Sequence, residues 1–217
     1  RRVMRTLAQP GPVHPQRIDS FAGTPRHLAF TLEPGRRLAD ALTAPLIAAG
    51  MQCATITFGG GTLLPFHYVL PGPPDGPQHV AYFSAPHAPA GECQVELANA
   101  TFGWSDGAPL VHIHGVWIEP DGTRRGGHML PSQCSVSRPL PARACGFADI
   151  QFAALADPET NFTLLQPAGH ATGAGTGVVA RVRPNEDITL ALETVAARHG
   201  LRDAVVRGSV GSLIGAR

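Results

Sequence analysis

One stretch of the sequence decides the fold: residues 110–130 read LVHIHGVWIEPDGTRRGGHML. Apolar and polar residues alternate on both sides of Pro120-Asp121-Gly122, a composition typical of a β-hairpin turn. A three-residue loop of this kind closes when its glycine adopts the left-handed conformation. The sequence therefore predicts a hairpin in which Glu119 pairs with Thr123.

Counting outward from this turn brings three histidines together. His114 falls directly opposite His128, and His112 lies on the same face, because side chains two positions apart along a strand point the same way. Three neutral imidazoles so placed can converge on one metal ion and leave a fourth tetrahedral position open for water or a small ligand. Gly126 and Gly127 would let a ligand or another backbone approach the strand closely.

The choice of metal stays open at this point. Zinc is predicted first, but iron, nickel and copper also accept imidazole ligands. The alternative is that His112 and His114 are ordinary half-buried strand residues with His128 beside them by chance. A one-residue change in the turn would move His128 to the opposite face, so the prediction depends on the register of the hairpin.

Composition limits the classes of protein that fit. The 217 residues carry 17 basic and 16 acidic side chains, and every basic residue is arginine, so nucleic-acid binding is not expected from charge. No apolar run approaches the roughly 20 residues of a membrane span, and a cytoplasmic location is the default expectation. The four cysteines lack the Cys-x-x-Cys spacing and indicate buried thiols in a reducing compartment. They are Cys53, Cys93, Cys134 and Cys145.

The pattern before and after the hairpin predicts an α+β domain. Residues 1–16 form a tail, and residues 17–167 form the main domain, with one helix at 38–49 that Pro45 should kink or split near 41–43. Segment 139–145 is expected to be a connection. Strands are predicted at 27–32, 52–58, 62–69, 79–84, 93–102, 133–138, 149–154 and 162–165, a spacing that favours a mostly antiparallel sheet.

A second copy of the beginning of the chain follows a Gly-rich linker at 168–177. A shift of 150 residues aligns the two segments without a gap, which indicates internal duplication. The aligned pairs are Pro34 with Pro184, Leu38 with Ile188, Ala41 with Ala191, Leu42 with Leu192, Gly50 with Gly200, Ala54 with Ala204, Gly61 with Gly211 and Leu63 with Leu213. Residues 178–217 are thus predicted to be a partial copy, strand-helix-strand, that docks on the first domain, completes another subunit's sheet or, the favoured option, belongs to a longer parent chain.

The hairpin resembles a known family. Residues 106–114 read DGAPLVHIH, and Pro120-Asp121-Gly122 and residues 126–130, GGHML, follow. This set resembles the motif of the plants-and-prokaryotes-conserved (PPC) domain over about residues 17–167. The resemblance implies a mixed, largely antiparallel sheet with one main helix per domain, and a homotrimer. Prokaryotic relatives with these histidines look like metal binders, whereas the Arg-Gly-Arg-Pro core of the AT-hooks joined to the plant domain is absent here.

Two functions remain open from the sequence. The first is an oligomeric metal-binding domain whose open position takes a small-molecule ligand, with the reaction unknown. The alternative is a protein-interaction or regulatory module with a role in transcription, for which association with DNA stays open and in which the metal is structural or incidental. Glu92 or Glu96 could reach the site as a general base, while Glu119 and Asp121 are expected to be solvated turn residues. His67, His79, His87 and His170 are expected on the surface or in loops.

Overall fold

The computed structural model describes residues 6–168, 175–208 and 210–213. Two α-helices, α1 (Leu38–Ala48) and α2 (Ile188–Arg198), and a 3-10 turn (Pro131–Gln133) accompany the strands in these residues. The strands are β1 (Ile18–Gly23), β2 (Arg26–Leu32), β3 (Cys53–Phe58), β4 (Thr62–Leu63), β5 (Tyr68–Val69), β6 (Pro71–Gly72), β7 (Tyr82–Phe83), β8 (Cys93–Ser105), β9 (Ala108–Ile118), β10 (Arg124–Met129), β11 (Val136–Arg138), β12 (Leu140–Phe147), β13 (Gln151–Ala156), β14 (Thr163–Ala168) and β15 (Gly177–Val182).

One large sheet organises the chain. Its strands follow the order β2-β12-β3-β8-β9-β10-β5, with β4, β11, β13 and β14 attached at its margins. All pairs are antiparallel except β13 with β8, which meet in parallel at Ala153 and Trp104. The predicted α+β class with a mixed, largely antiparallel sheet is therefore confirmed. Two small sheets, β1 with β15 and β6 with β7, lie outside it.

The two faces of the large sheet have different surroundings. Helix α1 packs on the first face through Leu38, Leu42 and Leu46, which recur at helical spacing and are 0% exposed. The opposite face carries the even-numbered residues of β9 and β10, including the three histidines. The sheet thus holds its core on one side and presents the candidate site on the other.

The predicted split of α1 near residues 41–43 is wrong, and the alternative of a kink at Pro45 stays a prediction. The helix runs without interruption from Leu38 to Ala48 with Pro45 inside it. Proline lacks an N–H donor and its ring crowds the carbonyl one turn back. Leu42 and Leu46, on both sides of it, are buried against the sheet, so packing outweighs this local penalty.

The predicted connection at 139–145 is also wrong. These residues belong to β12, which lies between β2 and β3 in the large sheet. Leu140, Ala142 and Ala144 alternate toward the core and are at most 4% exposed. Alanines and Pro141 carry little intrinsic strand preference, so the neighbouring strands, rather than the local sequence, set this conformation.

The two aligned segments share their helical part. Helix α2 has the same length as α1, and its first and last residues lie 150 positions after those of α1. Both helices are followed by a glycine of positive φ, 69° at Gly50 and 65° at Gly200. The hydrogen bonds there also correspond: the N–H groups of Gly50 and Met51 bond to residues 47 and 46, and those of Gly200 and Leu201 to 197 and 196. The strand predicted after α2 does not form in residues 201–208 and 210–213. The domain boundaries remain a prediction.

The described part of the N-terminal tail, residues 6–16, lies along the main domain and contains no helix or strand. The N–H of Gly11 donates to Glu159 O at 3.0 Å, and the N–H of His14 donates to a Glu159 carboxylate oxygen at 3.2 Å. The tail thereby contacts the turn between β13 and β14. Most of the predicted Gly-rich linker, residues 169–174, lies outside the described residues, and β14 and β15 take up positions 168 and 177.

Candidate metal centre

The turn between β9 and β10 closes as the sequence predicts. The N–H of Glu119 donates to Thr123 O at 2.9 Å, and the N–H of Gly122 donates to Glu119 O at 2.9 Å. Gly122 has a φ of 84°, the left-handed conformation that the three-residue loop requires. As a result His114 and His128 are direct partners across the two strands.

The three histidine side chains converge on one point of the sheet face. His112 Nε2 lies 3.0 Å from His114 Nε2 and 3.2 Å from His128 Nδ1. One ligand nitrogen from each ring falls within 4.8 Å of the others, and all three residues are half-buried. Nitrogens this close are compatible with shared coordination of one ion, whose bonds to nitrogen are about 2.0–2.1 Å long.

Burial keeps these imidazoles neutral. Desolvation, followed by the proximity of the other two rings, lowers the pKa of His112 to about 3. Desolvation and the neighbouring His114 lower the pKa of His128 to about 4, and desolvation also lowers the pKa of His114. The cluster therefore offers unprotonated nitrogens at neutral pH, which is the form that binds metals.

The two glycines of the predicted site face opposite sides of the sheet. Gly126 shares the face of the histidines, and a Cβ added there would lie 3.4 Å from the nearest atom, Gly115 O. Gly127 faces the core, where a Cβ would lie 2.9 Å from Val69 O and 3.2 Å from the ring of Trp117. A Cβ at Gly126 would thus make only ordinary van der Waals contacts, whereas the absence of a side chain at Gly127 permits close packing against the core.

A polar residue that the sequence did not single out lies on the next strand. Asn99 on β8 is the direct partner of His114, so both side chains rise from the same face of the sheet. Its Oδ1 accepts a hydrogen bond from the hydroxyl of Thr57 on β3 at 2.9 Å. No pattern within β8 marks Asn99, since its place depends on the pairing of strands distant in sequence.

Aromatic rings adjoin the histidines on the other side. The ring centroid of Phe83 lies 5.4 Å from that of His128, and Tyr82 follows at 5.5 Å from Phe83. Phe83 is 46% exposed and Tyr82 is 41% exposed. Hydrogen bonds from Asn161 Nδ2 to Gln78 O and between the His79 ring and Asn161 O tie the β6–β7 hairpin to the turn at 157–162.

The carboxylates considered as general bases are engaged in ion pairs. Glu92 contacts Arg138 at 3.4 Å, and Glu96 contacts Arg124 at 2.6 Å. The arginine of each pair is exposed, and each carboxylate is about one-third exposed. The groups beside the three histidines are therefore the amide of Asn99 and the aromatic ring of Phe83.

The expectation of a solvated Glu119 is wrong. Its side chain is 10% exposed and binds Arg125 at 3.0 Å. It also accepts a hydrogen bond from the Tyr68 hydroxyl at 2.5 Å. Burial and this hydrogen bond raise the pKa of Tyr68 to about 12. Residue 119 faces the same side of the sheet as residue 117. Glu119, Arg125 and Tyr68 therefore lie on the core face beside Trp117, at the base of the hairpin turn.

The cysteines are free thiols, and three of them are buried. Desolvation raises the pKa of Cys53 to about 12 and that of Cys93 and Cys134 to about 11. None of the four belongs to the histidine cluster.

In the described part of the chain, no helix is both long and apolar enough to cross a membrane.

The sequence matches no protein-family model and no curated protein. The fold is similar to that of the PPC protein of Pyrococcus horikoshii, with a TM-score of 0.52 at 16% identity over 65% of this chain and 91% of the other. A metal-containing protein of Archaeoglobus fulgidus gives a TM-score of 0.52 at 16% identity, over 67% and 96% of the two chains. A hypothetical protein of Salmonella enterica gives 0.51 at 23% identity, over 68% and 96%. The chain therefore has a PPC-like fold, and about a third of it lies outside each match.

Proposed function

We propose that this chain of PPC-like fold binds one transition-metal ion through His112, His114 and His128. The observation that carries the proposal is the convergence of one nitrogen from each ring to within 4.8 Å of the other two. The described residues provide no fourth His, Cys, Asp or Glu ligand in this cluster, so a coordination position is left for a small ligand.

The donor set decides which ions fit. Three neutral imidazoles suit zinc, and iron, nickel and copper also accept them. The low pKa values of His112 and His128 favour binding at neutral pH, since no proton has to be displaced from either ring. When bound, such an ion would supply Lewis-acid polarisation of a ligand oxygen. The Archaeoglobus neighbour is described as metal-containing, which is consistent with a site of this kind.

We also propose that the protein is a homo-oligomer, with a trimer as the expected form. Leu97 and Leu110 are 51% and 38% exposed. Both rise from the face of the sheet that carries the histidines, since their direct partners are Val116 and Gly103 on the neighbouring strands. Burying these side chains between copies would remove apolar surface from water. Light scattering should then give three times the chain mass of 22.7 kDa.

Metal analysis tests the site directly. Protein purified without chelator, or reloaded with zinc and desalted, should carry about one metal ion per chain, because three histidine ligands are preorganised. His114→Ala should lose the ion. His27→Ala is the matched control, since His27 is exposed on β2 and lies outside the cluster, and it should keep the ion.

Two results would contradict the proposal. One is wild-type protein that retains no zinc after reloading at neutral pH. The other is equal metal content in His114→Ala and His27→Ala, because ion binding would then depend on neither the hairpin nor its register.

A further inference from the structure

From the surroundings of the histidines we infer that the ligand of this site is a small aromatic carboxylate. Its carboxylate accepts a hydrogen bond from the Asn99 carboxamide, and its ring packs against Phe83. The inference rests on the proposed metal site, and it names residues from two elements that do not belong to the histidine hairpin.

Charge favours an anion at the site. Imidazole coordinates a metal as an uncharged ligand, so a divalent cation bound by three histidines would keep its full charge. No carboxylate of the described chain belongs to the cluster. Glu92 and Glu96 are paired with Arg138 and Arg124. A negatively charged oxygen ligand would balance this charge in a half-buried place.

Asn99 is held in an orientation that suits an oxygen ligand. Its Oδ1 is occupied by the hydroxyl of Thr57, which lies on the strand away from His114. The amide nitrogen diverges from Oδ1 and has no hydrogen-bond partner within the described part of the chain. Since Asn99 and His114 are direct partners on the same face, this N–H group is available to an acceptor over the histidines.

The C-terminal segment restricts the other side of Asn99. A Cβ added at Gly208 would lie 3.5 Å from Asn99 Oδ1 and 3.7 Å from Thr55 Cβ, so the backbone of residue 208 passes close to the Thr55 side of the amide. Residue 208 therefore lies near β3, on the side of Asn99 away from His114.

Phe83 supplies the apolar side of the site. Its ring lies 5.4 Å from His128 with an angle of 44° between the planes, yet 46% of the residue is exposed. The β6–β7 hairpin that carries it is fixed by the hydrogen bonds of Asn161 and by Leu70 N–H, which donates to Ser84 Oγ at 3.0 Å. A large aromatic surface held beside a polar cluster suits a flat apolar group, because offset and edge-to-face ring contacts are favourable.

Cobalt(II) loaded in place of zinc allows ligand entry to be followed by visible absorption, without an assay of activity. Benzoate and acetate are the probes, because they share the carboxylate and differ in the ring. Wild-type protein should bind benzoate about 10-fold more tightly than acetate. Phe83→Ala should bring this ratio close to one, and Phe83→Leu, which keeps apolar bulk without the ring, should reduce it.

Two further variants separate the roles. Phe162→Ala removes an aromatic ring that contacts Tyr82 and His79 rather than His128, so it should keep the preference for benzoate. Asn99→Ala should weaken both probes by about 10-fold and leave their ratio unchanged, because it removes a hydrogen bond to a charged oxygen.

The outcomes distinguish this inference from the proposed function. If wild-type protein binds no cobalt, the proposed metal site and the aromatic carboxylate ligand are both wrong. If cobalt binds but benzoate is not preferred, or the preference survives in both Phe83 variants, the metal site stands and the aromatic carboxylate is wrong. Unchanged affinities in Asn99→Ala would remove Asn99 from the ligand site.

Discussion

His114 lies directly opposite His128 in the pairing of β9 with β10. The turn that sets this relationship, Pro120-Asp121-Gly122, begins six residues after His114 and ends six residues before His128. Its key position is Gly122, which has a φ of 84°. Side chains alternate along each strand, so a slip of one residue would carry His128 to the core face. The three histidines therefore converge only in the observed register of the hairpin.

Replacing Gly122 should weaken both the hairpin and metal binding. Gly122→Val places a β-branched residue in the left-handed region and should lower the free energy of unfolding by about 1–2 kcal/mol. Gly122→Asn should cost less, because asparagine tolerates this conformation. Urea unfolding and zinc titration of both variants measure the effect. Equal stability and zinc affinity in the two variants would show that the turn does not set the site.

The hairpin could be predicted because its signals are local. The turn residues, the alternation and the spacing of the histidines all lie between positions 110 and 130, and the observed register follows from counting. Asn99 and Phe83 could not be found in this way. Their places beside the histidines depend on the pairing of β8 with β9 and on the docking of the β6–β7 hairpin.

Other errors have the same origin. Strand β12 contains alanines and Pro141, and it is a strand because β2 and β3 lie on both sides of it. The segment after α2 is predicted to be a strand and has apolar residues, Val205 and Val206, but it pairs with no strand in the described part of the chain. These two residues are 72% and 64% exposed. Local propensity therefore misses a strand that its neighbours stabilise, and it predicts a strand where no partner strand is present in the described residues.

The buried Tyr68 hydroxyl should contribute to stability. Tyr68→Phe removes one donor to the Glu119 carboxylate, which is only 10% exposed and would keep Arg125 alone. We expect a loss of about 1–3 kcal/mol in the free energy of unfolding, because a buried charged acceptor would lose one of its two donors. Tyr82→Phe is the control at a tyrosine that is 41% exposed, and it should change stability little. Similar losses from the two variants in urea unfolding would contradict the expectation.

Acid should destabilise the metal-free protein between about pH 6.5 and pH 5. The folded protein keeps His112 and His128 neutral, with pKa values lowered from 6.5 to about 3 and about 4. The unfolded chain binds more protons in this interval, so stability falls as the pH falls, by at most about 1.4 kcal/mol per pH unit for each histidine. His112→Gln should give a shallower slope in chelator-treated protein. The same slope in His112→Gln and wild type would exclude this origin, and His27→Gln serves as the control.

The two aligned helices should respond differently to the same substitution. Leu42 and Leu192 occupy corresponding positions 150 residues apart, but Leu42 is 0% exposed and Leu192 is 38% exposed. Leu42→Ala should lower the free energy of unfolding by about 2–5 kcal/mol, because it leaves a cavity between α1 and the sheet. Leu192→Ala should cost less than about 1 kcal/mol, since solvent already reaches that side chain. The change in helix propensity is the same in both, so the difference in urea unfolding reports burial alone. Equal losses would mean that the exposed face of α2 is covered in solution, as it would be if a second copy of the chain packed against it.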